Sequence, residues 1–193
     1  MKRTAVLFTY ICLAVLMPGC LTVSQYRLSL NYDTGDARWE YCDLRSKQGA
    51  DEKDYSAAND WAELKKRVAE QKPEADQEVV ADIAKEMFEE NNMLCARKIQ
   101  KVKCPKCFPS KAAIMTYLHD KDWRFEMIND EVVLFLPGGR KVVSTNGRMV
   151  TTPNNSIIIW PQESGKFEYV ITDQNSGGTS LLPNYLDEKN PKK

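Results

Sequence analysis

The hydrophobic patterning of this chain predicts an α+β domain. Three observations carry that prediction. Residues 25–32 and 37–42 alternate apolar and polar side chains, the period of a half-buried strand. Residues 60–88 instead repeat apolar side chains at three- and four-residue intervals, the period of a helix. From Trp123 onward, short apolar runs return, separated by turn residues at short regular intervals, which is the layout of an antiparallel meander.

In chain order, Tyr26, Leu28, Leu30 and Tyr32 share one face of the first strand. Asp33-Thr34-Gly35-Asp36 then supplies a turn, because glycine tolerates positive φ and aspartate accepts turn geometry. Ala37, Trp39 and Tyr41 alternate with Arg38, Glu40 and Cys42, so residues 25–46 read as a β-hairpin. A polar connection from Lys47 to Tyr55 leads to a helix from Asp60, where Asp60-Trp61-Ala62-Glu63 has capping-box spacing and Trp61, Leu64 and Val68 share a face. Lys72-Pro73 ends it, since proline disfavours helix in the residue before it. Pro73 opens a second expected helix with an apolar stripe of Val79, Val80, Ile83, Ala84, Met87 and Phe88 and acidic residues in its first turns. Asn91-Asn92 interrupts that pattern. The basic, cysteine-rich stretch from Cys95 to Pro109 follows no period. Ser110 is placed as the cap of a short helix over 111–118 with Ile114, Tyr117 and Leu118 inward.

The C-terminal strands are Trp123–Met127, Val132–Pro137, Lys141–Thr145, Met149–Thr152, Ser156–Trp160 and Phe167–Thr172, and about five of them form the expected meander. Asn146-Gly147 is the strongest short hairpin signal among their turns. Gly177-Gly178 ends the packed region, and Leu181–Leu186 is apolar enough to dock back on it. The resulting organisation is a leader over 1–19, an anchor and short tether over 20–24, one α+β domain over 25–175, and a tail over 176–193. Within the domain, the hairpin occupies 25–46, the helical and cysteine-bearing segment 56–118, and the meander 123–172.

The leader carries Lys2 and Arg3, an apolar run from Ala5 to Met17, and then Pro18-Gly19-Cys20. A basic start, an apolar core and a small residue before a cut are the parts of a secretory signal, and a run this short does not span a bilayer. With a cysteine at the cut, Met17-Pro18-Gly19-Cys20 resembles the signal of bacterial lipoproteins. The resemblance covers residues 1–20 only. It implies that Cys20 becomes the mature N-terminus and carries a thioether-linked diacylglycerol, usually with an N-acyl chain such as palmitate. Several acyl chains anchor a protein stably to a membrane. Leu21 in place of aspartate favours the outer membrane, on the far side of the periplasm from the inner one.

The chain has 27 basic and 27 acidic side chains, two of the basic ones in the leader, so the remainder is slightly acidic. That balance suggests no nucleic-acid partner, which would need a basic face for phosphates. Outside the leader and Cys20 four cysteines remain: Cys42, Cys95, Cys104 and Cys107. In an oxidising compartment an even set reads as two disulfides, with three possible connectivities. Zinc held by the same four thiolates, and thiol exchange at Cys104-Pro105-Lys106-Cys107, are the alternative readings of this motif.

Nothing in the sequence supports catalysis. There is no nucleophile elbow, phosphate loop, dinucleotide fingerprint or metalloprotease motif. His119, the sole histidine, is placed as a cation at a helix C-terminus. Glu126 and Glu131 could face each other across the Asn129-Asp130 turn, an arrangement that acid–base chemistry would use only within a cleft. The densest basic cluster is Arg97, Lys98, Lys101, Lys103, Lys106 and Lys111, a candidate surface for anionic lipid headgroups. The functional expectation is a non-catalytic envelope lipoprotein with a protein partner, held close to its membrane. The alternatives are a metal or redox module at the CPKC motif and a small-ligand binder using the meander.

Overall fold

The computed structural model describes residues 20–49, 55–70, 79–119, 123–136, 138–151 and 156–191. The expected leader, residues 1–19, and the start of the second expected helix, residues 73–78, lie outside the described residues. The fold is α+β and its sheets are antiparallel throughout.

Strands β1 (Cys20–Asn31) and β2 (Asp36–Lys47) form the expected N-terminal hairpin. Gly35 at φ 78° closes it, and a side chain there would meet the Val102 carbonyl at 2.2 Å. The strand begins earlier than its alternation shows. Residues 20–24, expected as anchor and tether, are already strand, with Cys20 opposite Lys47 and Leu21 opposite Ser46. Asp43 is the irregularity that hid this. It sits at φ 59°, accepts hydrogen bonds from Ser24 Oγ and Arg45 Nε at 2.8 Å each, and changes which residues face inward. Before it Ala37 and Trp39 are buried; after it Leu44 and Ser46 are.

Helix α1 (Ala57–Ala69) buries Trp61 and Leu64 as expected, but it starts three residues before Asp60. Asp60 is not a cap. It is 2% exposed, and its carboxylate accepts the Ser46 hydroxyl from β2.

The second expected helix is instead strand β3 (Val80–Glu90), hairpinned to β4 (Met93–Val102). Asn91 and Asn92, at φ 53° and 58°, make the two-residue turn, the geometry of a type I′ loop. The helical appearance has a definite cause. A bulge between Asp82 and Ala84 shifts the alternation by one residue, so Val80 and Met87, seven apart, face the same side opposite Val102 and Ala96. Seven residues is also two helical turns.

A short 3₁₀ turn, Pro105–Cys107, precedes helix α2 (Lys111–Leu118). Ser110 caps α2 as expected, accepting the Ala113 N–H at 3.1 Å. The buried side chains are Ala112, Ile114 and Met115; Tyr117, expected inward, is exposed and lies edge-on to Phe108.

The C-terminal strands are β5 (Arg124–Ile128), β6 (Glu131–Phe135), β7 (Arg140–Thr145), β8 (Arg148–Thr151), β9 (Ser156–Pro161) and β10 (Lys166–Asp173). They divide between two sheets. The first has the order β3-β4-β2-β1-β10-β7, and the second β5-β6-β9-β8. The N-terminal hairpin thus joins the C-terminal strands through β1 and β10. The expected tail forms β11 (Thr179–Ser180) on β2 and helix α3 (Leu182–Lys189), with Leu181 wholly buried.

Two cores line one face of the first sheet, joined at Tyr41. One packs Leu28, Leu30 and Trp39 against Leu134, Ile158 and Trp160 of the second sheet and Ile114 of α2. The other packs Leu44 and Leu94 under Trp61 and Leu64 of α1 and Leu181. Both edge strands of the first sheet are bulged, and the extra residues, Ile83 and Val143, are 59% exposed. Bulges of this kind keep an edge from pairing with another chain.

Asn146-Gly147 is not a hairpin turn. The chain crosses there from β7 in one sheet to β8 in the other, with neither residue at positive φ. Asn146 Oδ1 accepts Trp160 Nε1–H and the Glu168 N–H at 2.8 Å each, and its Nδ2 donates to the Lys166 carbonyl at 2.9 Å. Gly147 is needed for close approach, since a Cβ would meet Trp160 Nε1 at 2.7 Å and the Ile159 carbonyl at 2.9 Å. Asn146→Ala strands a buried indole N–H and should cost about 2–3 kcal/mol of unfolding free energy in urea titration. A loss below about 0.5 kcal/mol would show that the sheets are held together elsewhere.

Candidate functional site

The face of the first sheet opposite the two cores carries polar side chains, and none of the three described helices packs on it. Its centre is a row of directly opposed residues across four strands: Glu86 on β3, Arg97 on β4, Glu40 on β2 and Arg27 on β1. Charges alternate along the row. Arg97 reaches Glu86 at 2.6 Å and Glu40 at 2.7 Å; Arg27 reaches Glu40 at 3.3 Å and Glu90 at 2.6 Å; Arg38 adds a third guanidinium to Glu40 at 2.5 Å. Arg97 also lies over the Phe88 ring, 4.4 Å from its centroid.

The Glu40 side chain is only 7% exposed. Burial alone would raise its carboxyl pKa, but the hydrogen bonds from Arg38 and Arg97 outweigh that and hold it below the usual glutamate range. Opposite charges directly across a ladder stabilise each contact modestly, whereas removing the shared carboxylate would leave several guanidiniums facing one another.

Beside this row lies a depression of about 610 Å³, lined by Arg38 on one side and by Ser144, Thr145 and Asn146 at and just beyond the end of β7 on the other. Ser29 donates to Glu168 at 3.1 Å on its floor, and Lys166 pairs with Glu168 at 2.6 Å. Arg38 and Lys166, each about half exposed, stand on the rim. The lining offers both charges, hydroxyls and an amide. It suits a polar, hydrogen-bonding partner, and it contains no cysteine or histidine.

The cysteines pair as Cys42–Cys95 and Cys104–Cys107. Cys42 and Cys95 are opposed on β2 and β4, two residues along each strand from Glu40 and Arg97, and both are fully buried. This bond closes a loop of separation 53, worth about 4 kcal/mol in the chain-entropy account. With the sulfurs bonded in pairs, the four-thiolate zinc set is not assembled. A Glu90 carboxylate oxygen lies within 4.8 Å of the Cys42 and Cys95 sulfurs, which are bonded to each other.

Strand geometry also disperses the basic cluster expected to meet lipid headgroups. Alternation along β4 places Arg97 in the charged row and Lys98 on the opposite face, across from Trp39. Lys101 pairs with Asp36 at 2.7 Å. Lys103 gives its backbone N–H to Val79, and Lys106 is exposed in the 3₁₀ turn. Lys111 Nζ donates to the Ser164 carbonyl at 2.8 Å and to that of Gln162. Glu126 and Glu131 do not face each other, because Glu126 is opposite Val133; each has its own arginine, Arg124 and Arg148.

No protein-family model, curated protein or solved structure matches the chain.

His119 departs most from its expected role. Its ring turns inward from the end of α2 and is enclosed by Trp39, Phe125, Trp123 and Tyr169, with centroids 4.4–6.0 Å away. Nδ1–H donates to the Met115 carbonyl, and Nε2 accepts the Tyr169 hydroxyl, which fixes a neutral tautomer. Burial pushes its pKa down to about 3, against the smaller opposing effect of the Met115 hydrogen bond. A sole histidine followed closely by Trp123 and Phe125 was the available signal. Because the unfolded chain binds a proton near pH 6.5 and the folded one only near 3, stability falls as pH drops through that window. The expected slope is about 1.4 kcal/mol per pH unit. Urea titrations of wild type between pH 6.5 and 5 should show it and His119→Gln should not; equal slopes would place the ring in water.

Proposed function

We propose that this chain is an exported lipoprotein of the bacterial envelope, acylated on Cys20, whose domain docks a polar protein partner on the open charged face of its larger sheet. The reading rests on the signal resemblance of residues 1–20 and on the position of Cys20, and the carrying observation is the second. Cys20 is the first residue of β1, and β1 is an interior strand of the sheet. With acyl chains on that residue, no free tether separates the lipid from the fold, and the domain is held against its membrane. The outer membrane, by the Leu21 argument, is the proposed address.

The charged face supports a docking role over catalysis. Its ionic groups are engaged with one another in the Glu40-centred row, and the depression beside that row offers hydrogen-bonding groups of both kinds. Among the described residues no helix is long and apolar enough to cross a membrane. That is compatible with a lipid anchor and neutral towards other arrangements.

Metabolic labelling with an alkyne fatty acid tests this reading. Wild-type protein should incorporate the label and sediment with membranes, and Cys20→Ser should lose both. Wild-type protein recovered without label and in the soluble fraction would overturn it.

A further inference from the structure

The two disulfides occupy opposite environments. Cys42–Cys95 is fully buried between β2 and β4 and joins residues separated by 53 positions. Cys104 and Cys107 are both exposed, three positions apart in the 3₁₀ turn between β4 and α2. We propose that Cys104–Cys107 is a thiol–disulfide exchange site, cycling between disulfide and dithiol against an external dithiol while Cys42–Cys95 stays oxidised.

Four features carry this. Exchange requires in-line approach of a thiolate to a sulfur, which exposure permits at one pair and burial denies at the other. A bond closing so short a loop removes little freedom from the unfolded chain, so the fold does not depend on it. The turn is also held without the sulfurs. Cys107 N–H donates to the Cys104 carbonyl at 3.0 Å, and Phe108 N–H to that of Pro105 at 3.3 Å. Pro105 is buried and packs beside Gly35, where a Cβ would come within 3.0 Å of its ring. The two thiols therefore remain neighbours after reduction, which reversible cycling demands. Finally, Lys106 stands between them on the surface, and positive charge favours both the approaching thiolate and the thiolate that leaves.

In the reductive half-cycle, a donor thiolate attacks one sulfur of the pair. The Cys104–Cys107 bond breaks, a mixed disulfide forms, and the other cysteine leaves as a thiolate and takes up a proton. The donor's second thiol then attacks the mixed disulfide and is itself oxidised, so two electrons and two protons pass to the protein. The reverse steps oxidise a dithiol partner. This inference does not depend on acylation of Cys20.

The test titrates folded, full-length protein with dithiothreitol, traps thiols with N-ethylmaleimide and maps them by peptide mass. Cys104 and Cys107 should be alkylated together at a dithiothreitol concentration at least about tenfold below that needed for Cys42 and Cys95. The circular dichroism spectrum should not change. Oxidised glutathione should restore the original pairing, and Lys106→Glu should slow reduction by glutathione several-fold. Opening of both pairs together, resistance of Cys104–Cys107 until the protein unfolds, scrambled pairing on re-oxidation, or an unchanged rate in Lys106→Glu would overturn the proposal.

Discussion

Strand β1 pairs with β2 on one side and with β10 on the other, and those two ladders place nearly everything else. The hairpin to β2 is local, but the ladder to β10 sets Tyr26 opposite Ile171 and Leu28 opposite Tyr169. Contacts that distant in sequence require the chain to close a very long loop before they form, which slows folding in proportion to their share. Until β10 arrives, one side of β1 presents unpaired backbone groups. The interior position of β1 thus couples completion of the sheet to the last third of the chain. The same placement removes slack between Cys20 and the fold.

On that scaffold the two faces of the sheet have separate duties. The inner face carries both apolar cores and takes the second sheet and the three described helices. The outer face is ionic, with Glu40 buried among three arginines and the Cys42–Cys95 bond two residues further along the same strands. The bond and the ion row fasten the same two strands, β2 and β4, which are consecutive in space but separated in sequence by α1 and β3. Asn146 joins the two sheets at the opposite end, where Trp160 and Glu168 converge on one amide oxygen.

Local features of this arrangement were legible in the sequence. The β1–β2 hairpin, the Ser110 cap, the Trp61/Leu64 face and the positions of the C-terminal strands all follow from short-range pattern. The failures have one origin, which is that pattern cannot see pairing partners. The Val80–Phe88 stripe reads as a helix because a bulge restores seven-residue spacing on a strand. Asn146-Gly147 has the composition of a hairpin turn yet serves as a crossing between sheets, while Asn91-Asn92 and Asn129-Asp130, at positive φ, make the two-residue turns. The Glu40 row is invisible before register is known, since its four members come from four strands. The early start of β1 is hidden in the sequence because Asp43 reverses the facing of the residues opposite Leu21–Val23.

Backbone hydrogen exchange at Leu21, Thr22 and Val23 addresses the central claim, that Cys20 already belongs to the folded sheet. Protection of these amides comparable to that of Leu28 and Leu30 is the predicted result. Exchange at the rate of an unstructured peptide, with Leu28 and Leu30 still protected, would restore a free tether and contradict the account.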